Sequence, residues 1–419
     1  MPEPTNTALP AAVIAEAQRC LNCKNPRCRQ GCPISTPIPD VIRMALNGQE
    51  DEAGRILFEN NPLTTVCAKV CDHERQCEGH CILGKKGKPV RFSQIEDAIS
   101  SAYSRRMTRG PAQPNGMHAA IIGAGPAGLT IAVQLARRGF GVTIFERRAQ
   151  IGGVLRYGIP DFRLPREVID DFAYRHLVLK DIRVRPNTSI GAGGALGIDD
   201  LLADGYDAIF VGTGVWQPRR LNVPGETQGH VHYAIHYLAS PAAYDLGRCV
   251  VVVGAGNAAM DVCRTALRAG TDSVTCLARG LAASASKKEL SAALAEGMQL
   301  RCGVRVTRIG RKDVEVIGVD GEGRDLPGSE DSLPADSVII AVSQGPRSLI
   351  VSTTQGLEVN ERGLLVTDGC GRTTRPGIFA GGDVVAGART VVEAVAASKR
   401  VAGAMEAYMR ERAAQRAEK

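Results

Sequence analysis

Apolar residues recur at helical spacing twice near the start of the chain. One stretch is 13–22; the other is 38–60, where Ile38, Val41, Ile42, Ala45 and Leu46 mark one face. A further helical pattern covers 92–107, whereas Cys67–Cys81 is polar and reads as loop. PAQPNG at 111–116 is rich in Pro and Gly and reads as a linker. Beyond it the period changes. Residues 119–147, AAIIGAGPAGLTIAVQLARRGFGVTIFER, run strand, glycine turn, helix, strand, and residues 250–279, VVVVGAGNAAMDVCRTALRAGTDSVTCLAR, repeat that plan. Such a repeat predicts an α/β chain with two Rossmann-like dinucleotide-binding domains, preceded by an α-helical one.

The glycine turns carry the first candidate chemistry. Gly123, Gly125 and Gly128, with Pro126 and Ala127 between them, let the backbone turn after the strand and let a pyrophosphate approach a helix N-terminus. Glu146 closes the second strand, where a carboxylate can accept from a ribose hydroxyl. Near the C-terminus a short apolar strand ends in Gly381, Gly382 and Asp383, and a helix is expected from Thr390. With Gly212, Thr213 and Gly214, these segments resemble the glutathione-reductase-like flavoproteins, which implies FAD at the first turn. A helix N-cap is the plainer role for Asp383. The second turn reads Gly254, Gly256, Asn257, Ala259, with alanine for the third glycine, as in a nicotinamide-nucleotide site. Aligning the repeats puts Ala278 where Glu146 stands, followed by Arg279, whose guanidinium suits a 2′-phosphate and so favours NADPH.

Eight cysteines lie between positions 20 and 81: Cys20, Cys23, Cys28, Cys32, then Cys67, Cys71, Cys77, Cys81. The first group reads C-x2-C-x4-C-x3-C-P, close to the spacing that holds [4Fe–4S] clusters in bacterial ferredoxins. Iron–sulfur cubanes take four soft sulfur ligands each, so eight thiols suffice for two. Zinc is the competing metal, with His73 and His80 as further donors, but only Cys20 and Cys23 have the paired C-x2-C hook. The later cysteines, Cys249, Cys263, Cys276, Cys302 and Cys370, stand singly and read as core or inert thiols. The second nucleotide domain has no C-x-x-C, which argues against a thioredoxin-reductase-type dithiol. His230, His232 and His236 read as surface or cap residues.

Composition narrows the setting. In 419 residues, aromatics are only 4%, so cores must be built from Ala, Val, Leu and Ile. No apolar run approaches the ~18–20 residues needed to span a bilayer. MPEPTNTALP has no basic start and no long apolar stretch, so no secretory signal is expected. A soluble cytoplasmic protein is expected, where dense cysteines act as metal ligands or redox groups. Net charge is +7, with small basic clusters at Lys85, Lys86, Lys88 and at Arg105, Arg106, Arg109. These read as solvated surface or as a docking face for an acidic redox partner. No basic stripe is interleaved with aromatics, so nucleic acid is not expected as a partner.

RCLNCKNPRCRQGCP, NNPLTTVCAKVCDHERQCEGHC, AIIGAGPAGL, GGVLRYGIPDFRLP, VVVVGAGNAAMD and IFAGGDVV together resemble the glutamate synthase small-subunit family, over about 15–410. That family includes the N-terminal half of dihydropyrimidine dehydrogenase. The resemblance implies FAD, two [4Fe–4S] clusters and NADPH or NADH, with electrons passed to a catalytic large subunit or redox partner in a hetero-oligomer. It also implies cross-ligation: Cys20, Cys23 and Cys28 with Cys81 on one cluster, Cys32, Cys71 and Cys77 on the other. Glu96 falls at the place of that cluster's fourth ligand, and Cys67 competes for the role. Gly152–Pro165, including Gly153, resembles the family's stretch beside the flavin, where Arg156 and Arg163 meet FAD or a cluster edge or simply scaffold the loop. One departure is that NADPH-using relatives carry two successive arginines and then Met-Pro after the second βαβ strand. Here Arg279 stands alone, which leaves NADH open.

The expected division is a helical iron–sulfur domain at 1–112, an FAD domain at 113–235 and 346–419, and an NAD(P)H domain at 236–345. No glutamine-hydrolysing domain or barrel is recognisable, so an electron-input subunit is expected, with no side-chain acid or base catalyst. A subunit of an electron-bifurcating, ferredoxin-dependent transhydrogenase and a redox sensor on the same scaffold are the alternatives.

Overall fold

The computed structural model describes residues 9–107, 110, 112–191 and 196–418; residues 1–8, Arg109 and Pro111 of the linker lie outside them. The chain forms two units. One comprises Met1–Gly153, Arg163–Val215 and Pro346–Lys419; the other comprises Val154–Phe162 and Trp216–Gly345.

In the first unit, the N-terminal helices form because their apolar positions share a face. Ile38–Leu46 buries Ile38, Val41, Ile42 and Ala45, the i, i+3, i+4, i+7 pattern, and Asp40 sits in its first turn, where the helix dipole favours an acid. The expected single helix over 38–60 is two helices. Gly48 takes φ +76° after Leu46, ending the first, and Glu50–Asn60 starts anew with Glu50, Asp51 and Glu52. Cys67–Cys81 is not all loop, since Thr64–Val70 is helical. Glu50–Asn60 and Thr64–Val70 both pack on Phe92–Arg106, and Ile42, Leu57, Ile95 and Ile99 make the centre of this core.

The same unit holds a five-stranded parallel sheet in the order Ile378–Ala380, Ala208–Val211, His118–Ile122, Gly141–Phe145, Arg183–Arg185. Ala119–Ile122 and Ala208–Val211 are wholly buried, as expected for parallel strands covered on both faces. The helix Pro126–Ala136 follows the first glycine turn, and the long C-terminal helix Val391–Ala417 packs along it.

The second unit repeats the plan, with parallel strands in the order Val231–Tyr233, Ser337–Ile340, Cys249–Val253, Ser273–Ala278, Gln299–Cys302. Helix Asn257–Arg268 follows its glycine turn. A three-stranded antiparallel sheet, Val304–Ile309, Asp313–Gly318 and Asp331–Pro334, completes it. Two guanidiniums pack over the Phe162 ring, Arg264 at 4.4 Å and Arg268 at 4.2 Å from its centre. Cys263 and Cys276 are buried in the core of this unit. Among the described residues, no helix is long and apolar enough to cross a membrane. Two Rossmann-like domains preceded by a helical one are therefore the observed architecture.

Candidate functional site

The cysteine motifs come together in three dimensions. Asn22 and Ser35 take left-handed φ values of +48° and +52°, curling the chain on either side of the helical turn Arg27–Gln30 that carries Cys28. Gly31 leaves room for the His80 ring, so the second motif lies directly on the first. Cys20, Cys23, Cys28 and Cys81 then line one pocket, backed by Ile38, Ile42, Val90 and Phe92; Cys77 also reaches its wall. The thiols surround a space instead of converging on a point. Among the described residues, no three His, Cys, Asp or Glu side chains are close enough to hold a single metal ion. Four thiols around a partly apolar pocket are the donor set a cubane requires.

Electrostatics tie the same residues together. Burial raises the pKa of Cys20, and the neighbouring Cys23 and Cys81 add to it. Cys28 is pushed up to about 11, first by burial and then by Cys20, Cys81 and Cys23. Ionising these crowded thiols would set like charges side by side, and an iron–sulfur core held here by Cys20, Cys23, Cys28 and Cys81 would supply the positive charge that takes the place of their protons.

Cys32, Cys67, Cys71, Cys77 and Glu96 form the second gathering. Cys71 is raised well above the usual thiol range, chiefly by its hydrogen bond with Cys67 and then by burial, with Glu96 and Cys77 contributing. Cys77 is raised by burial, then by Glu96, Glu78 and Cys32. Glu96 is only 7% exposed. Its Oε1 accepts from Thr64 Oγ1 at 2.8 Å, and burial pushes its pKa up to about 7. Cys67 is buried on the helix Thr64–Val70, one turn before Cys71. His73 is buried and His80 exposed, with His80 Nδ1 2.6 Å from the Gln76 carbonyl.

At the first glycine turn the glycines have separate tasks. Gly123 takes φ +100°, and a Cβ there would lie 2.7 Å from the Gly212 carbonyl oxygen. A Cβ on Gly128 would collide with the Gly123 carbonyl. Gly125 is open: its Cβ would meet nothing nearer than Gly153 Cα at 3.9 Å. Tight packing at Gly123 and Gly128 with free space at Gly125 is the cradle a pyrophosphate needs above the N-terminus of Pro126–Ala136. Thr213 and Gly214 (φ +67°) continue the crossing beside Gly123. Gly382, at φ +73°, brings its backbone against Ala127, and Asp383 follows at the same end of the helix. Burial pushes the Asp383 carboxyl up to about 6. Thr390 caps the C-terminal helix in a capping box, its hydroxyl 2.6 Å from Glu393 Oε2. The Glu146 carboxylate accepts from Ala124 N at 2.8 Å and Arg148 N at 2.9 Å, so it shapes the turn and keeps lone pairs for a ligand.

The second turn is built likewise. Gly254 has φ +114° and a Cβ would lie 2.5 Å from the Ala341 carbonyl; Gly256 faces open space, with Ser284 Oγ nearest at 3.7 Å. Ala259 is fully buried in the helix that follows. Asn257 Oδ1 accepts from Ser286 N at 2.8 Å, and Ser284 N and Ala285 N both reach the Ala255 carbonyl at 3.0 Å. This clamp of the loop after Arg279 onto the turn has no signature in the sequence motif. Arg279 is exposed just past the strand Ser273–Ala278. Arg156 is buried in the short helix Val154–Tyr157 of the second unit, and Arg163 is half-buried in the first.

The profile of the pyridine nucleotide-disulphide oxidoreductase family matches residues 117–399, and that of dihydropyrimidine dehydrogenase domain II, 4Fe-4S cluster, matches residues 3–107. The glutamate synthase (NADPH) small chain of Escherichia coli (strain K12) is 33% identical over 426 residues, covering 93% of this chain and 89% of that one. The NAD-dependent dihydropyrimidine dehydrogenase subunit PreT of Salmonella typhimurium is 34% identical over 411 residues, covering 96% of this chain and 95% of its own length. Among solved structures, Mycobacterium tuberculosis FprA in complex with NADPH has the same fold, with a TM-score of 0.57 at 19% identity over 71% of this chain and 85% of FprA. The chain thus belongs to the pyridine nucleotide-disulphide oxidoreductase family, among the glutamate synthase small chains and their relatives, as an NAD(P)H-dependent oxidoreductase of flavin and iron–sulfur type.

Proposed function

We propose that this chain is the electron-input subunit of a larger enzyme, taking electrons from NAD(P)H and delivering them to a catalytic large subunit or another redox partner. When bound, FAD supplies two-electron exchange with the nicotinamide, and two [4Fe–4S] clusters supply one-electron carriage. The chain's own residues bind, orient and shield. Gly123, Gly125, Pro126, Ala127, Gly128, Glu146, Gly153, Gly212, Thr213, Gly214, Gly382, Asp383 and Thr390 are proposed to hold FAD. Gly254, Gly256, Asn257 and Ala259 are proposed for the dinucleotide, with Arg279 reading a 2′-phosphate. The relatives' names include both NADPH and NAD. The exposed Arg279, with no carboxylate at Ala278, supports NADPH. A division into a helical iron–sulfur domain, an FAD domain and an NAD(P)H domain, and a cytoplasmic location, belong to the same reading; residues 154–162 and 216–235, expected in the FAD domain, group with the second unit.

The observation that carries it is the sorting of the N-terminal thiols into two sets across two motifs. Cys20, Cys23, Cys28 and Cys81 share one pocket, while Cys71 and Cys77 both interact with Glu96 and Cys32 interacts with Cys77. Glu96 interacts with both Cys71 and Cys77, which supports it over Cys67 as the fourth ligand of the second cluster. The rim of the first pocket supports a docking role. Leu21 is 59% and Ile82 45% exposed there, next to the exposed Lys85, Lys86 and Lys88. An apolar centre with a basic edge suits an acidic partner surface.

Iron and acid-labile sulfide analysis tests this reading. Two cubanes require about eight irons per chain. Glu96→Ala is expected to lower the count to about four, and Cys67→Ala to leave it unchanged. A wild-type chain that takes up zinc in place of iron sinks the proposal.

A further inference from the structure

A line of hydrogen bonds runs from the C-terminal helix to Cys32. Lys399 Nζ donates to Asn60 Oδ1 at 2.7 Å. Asn60 Nδ2 donates to Thr36 Oγ1 at 3.2 Å. Thr36 Oγ1 lies 3.3 Å from Cys32 Sγ. Chemistry fixes its direction. An ammonium has only donors, so it takes the carbonyl end of Asn60 and turns the amide NH₂ toward Thr36. Thr36 accepts there and keeps its single hydrogen to donate; toward a Cys32 thiol either atom can be the donor. When Cys32 is a thiolate ligand, that sulfur accepts and every donor in the line faces it. Lys399 is half-buried, and its charge interacts with Cys32 while burial lowers its pKa.

A lysine that merely docks a helix needs no such relay, since a carboxylate or a carbonyl would serve it. This one ends on a residue that the family resemblance makes a cluster ligand. Lys399 also stands on the helix that begins at Thr390, beside the proposed flavin site. Nine residues separate the two positions, a rise of roughly 14 Å along the helix axis.

We infer that Lys399, acting through Asn60 and Thr36, is a positioning residue that raises the reduction potential of the cluster bound by Cys32. This rests on the proposed presence of that cluster. Reduction adds one electron to the iron–sulfur core and increases the negative charge on its ligand sulfurs. A donated hydrogen bond and a nearby cation stabilise that added charge. No residue in the relay changes oxidation state. Because the relay reaches only Cys32, it separates the potentials of the two clusters, and the cluster it touches becomes the better electron acceptor for its ligand set.

The test is an anaerobic redox titration of the full chain loaded with FAD, iron and sulfide, followed by low-temperature electron paramagnetic resonance. Wild type is compared with Lys399→Met, Lys399→Arg and Thr36→Val. At the wild-type midpoint, Lys399→Met and Thr36→Val are each expected to lower the reduced-to-oxidised ratio of one cluster signal about tenfold, equivalent to about 59 mV for one electron. The other signal and the flavin should not move, and Lys399→Arg, which keeps charge and donors, should restore the wild-type value. Unchanged potentials in a chain with full iron overturn this inference alone. So does loss of iron from Lys399→Met, which makes the lysine a structural dock. A wild-type chain that takes up no iron overturns the cluster reading as well.

Discussion

Gly125 and Gly128 stand one helical turn apart and differ in what surrounds them. Gly128 is pressed against the Gly123 carbonyl, whereas Gly125 faces open space. Gly128→Ala should therefore destabilise the flavin-free chain by about 3 kcal/mol or more, the cost of overpacking a rigid contact, as read by urea unfolding. Gly125→Ala should leave that stability nearly unchanged and lower bound FAD, because its methyl group occupies the phosphate approach. His176 carries a separate, pH-dependent effect. Its ring is buried between Phe58 at 4.7 Å and Phe172 at 4.9 Å, and burial lowers its pKa to about 4. Above pH 6.5 it is neutral in folded and unfolded chains alike. As pH falls from 6.5 to about 4 the unfolded chain gains a proton that the buried ring refuses, so stability drops across that window, by about 3 kcal/mol in all. His176→Phe keeps the stack and should flatten this part of the stability profile; an identical profile in the variant contradicts the assignment. At this scale the fingerprint glycines were legible because their spacing is itself the geometric requirement. The buried state of His176, the Ser286–Asn257 clamp and the Lys399 relay were not, since each depends on a partner distant in the chain.

Elements were legible where periodicity was strong. The helix expected over 92–107 is Phe92–Arg106, and both glycine turns lead into helices. Two elements were not. The stop after Leu46 is marked only by Asn47-Gly48, a turn signal hidden inside a continuing apolar pattern. Thr64–Val70 is rich in β-branched residues and carries a cysteine, poor helix formers all, and its helix depends on burying Val66, Cys67 and Ala68. The C-terminal helix has the opposite character, since Thr390 and Glu393 cap each other reciprocally. Thr390→Ala should cost about 1 kcal/mol, measurable as a lower urea midpoint. No change at all would mean that the cap is redundant with the packing along Pro126–Ala136.

At the scale of the molecule, the internal repeat revealed two nucleotide-binding folds, and cysteine spacing revealed the metal-binding domain before them. It did not reveal that Val154–Phe162 belongs with the second unit, because Phe162 is held by Arg264 and Arg268, far along the chain. Nor did spacing alone decide which thiols share a pocket, because Cys81 joins the first motif only after the chain folds back on itself. The most direct measurement is anaerobic addition of NADPH, and separately NADH, to the loaded full chain, following flavin absorbance and cluster paramagnetic resonance together. At least one nucleotide should bleach the flavin and raise a reduced-cluster signal in the wild type. Cys81→Ser, built to lose the first-pocket cluster, should bleach equally while one cluster signal is missing. A flavin that stays oxidised with both nucleotides, or one that bleaches while clusters reducible by dithionite stay silent, would contradict electron input through this chain.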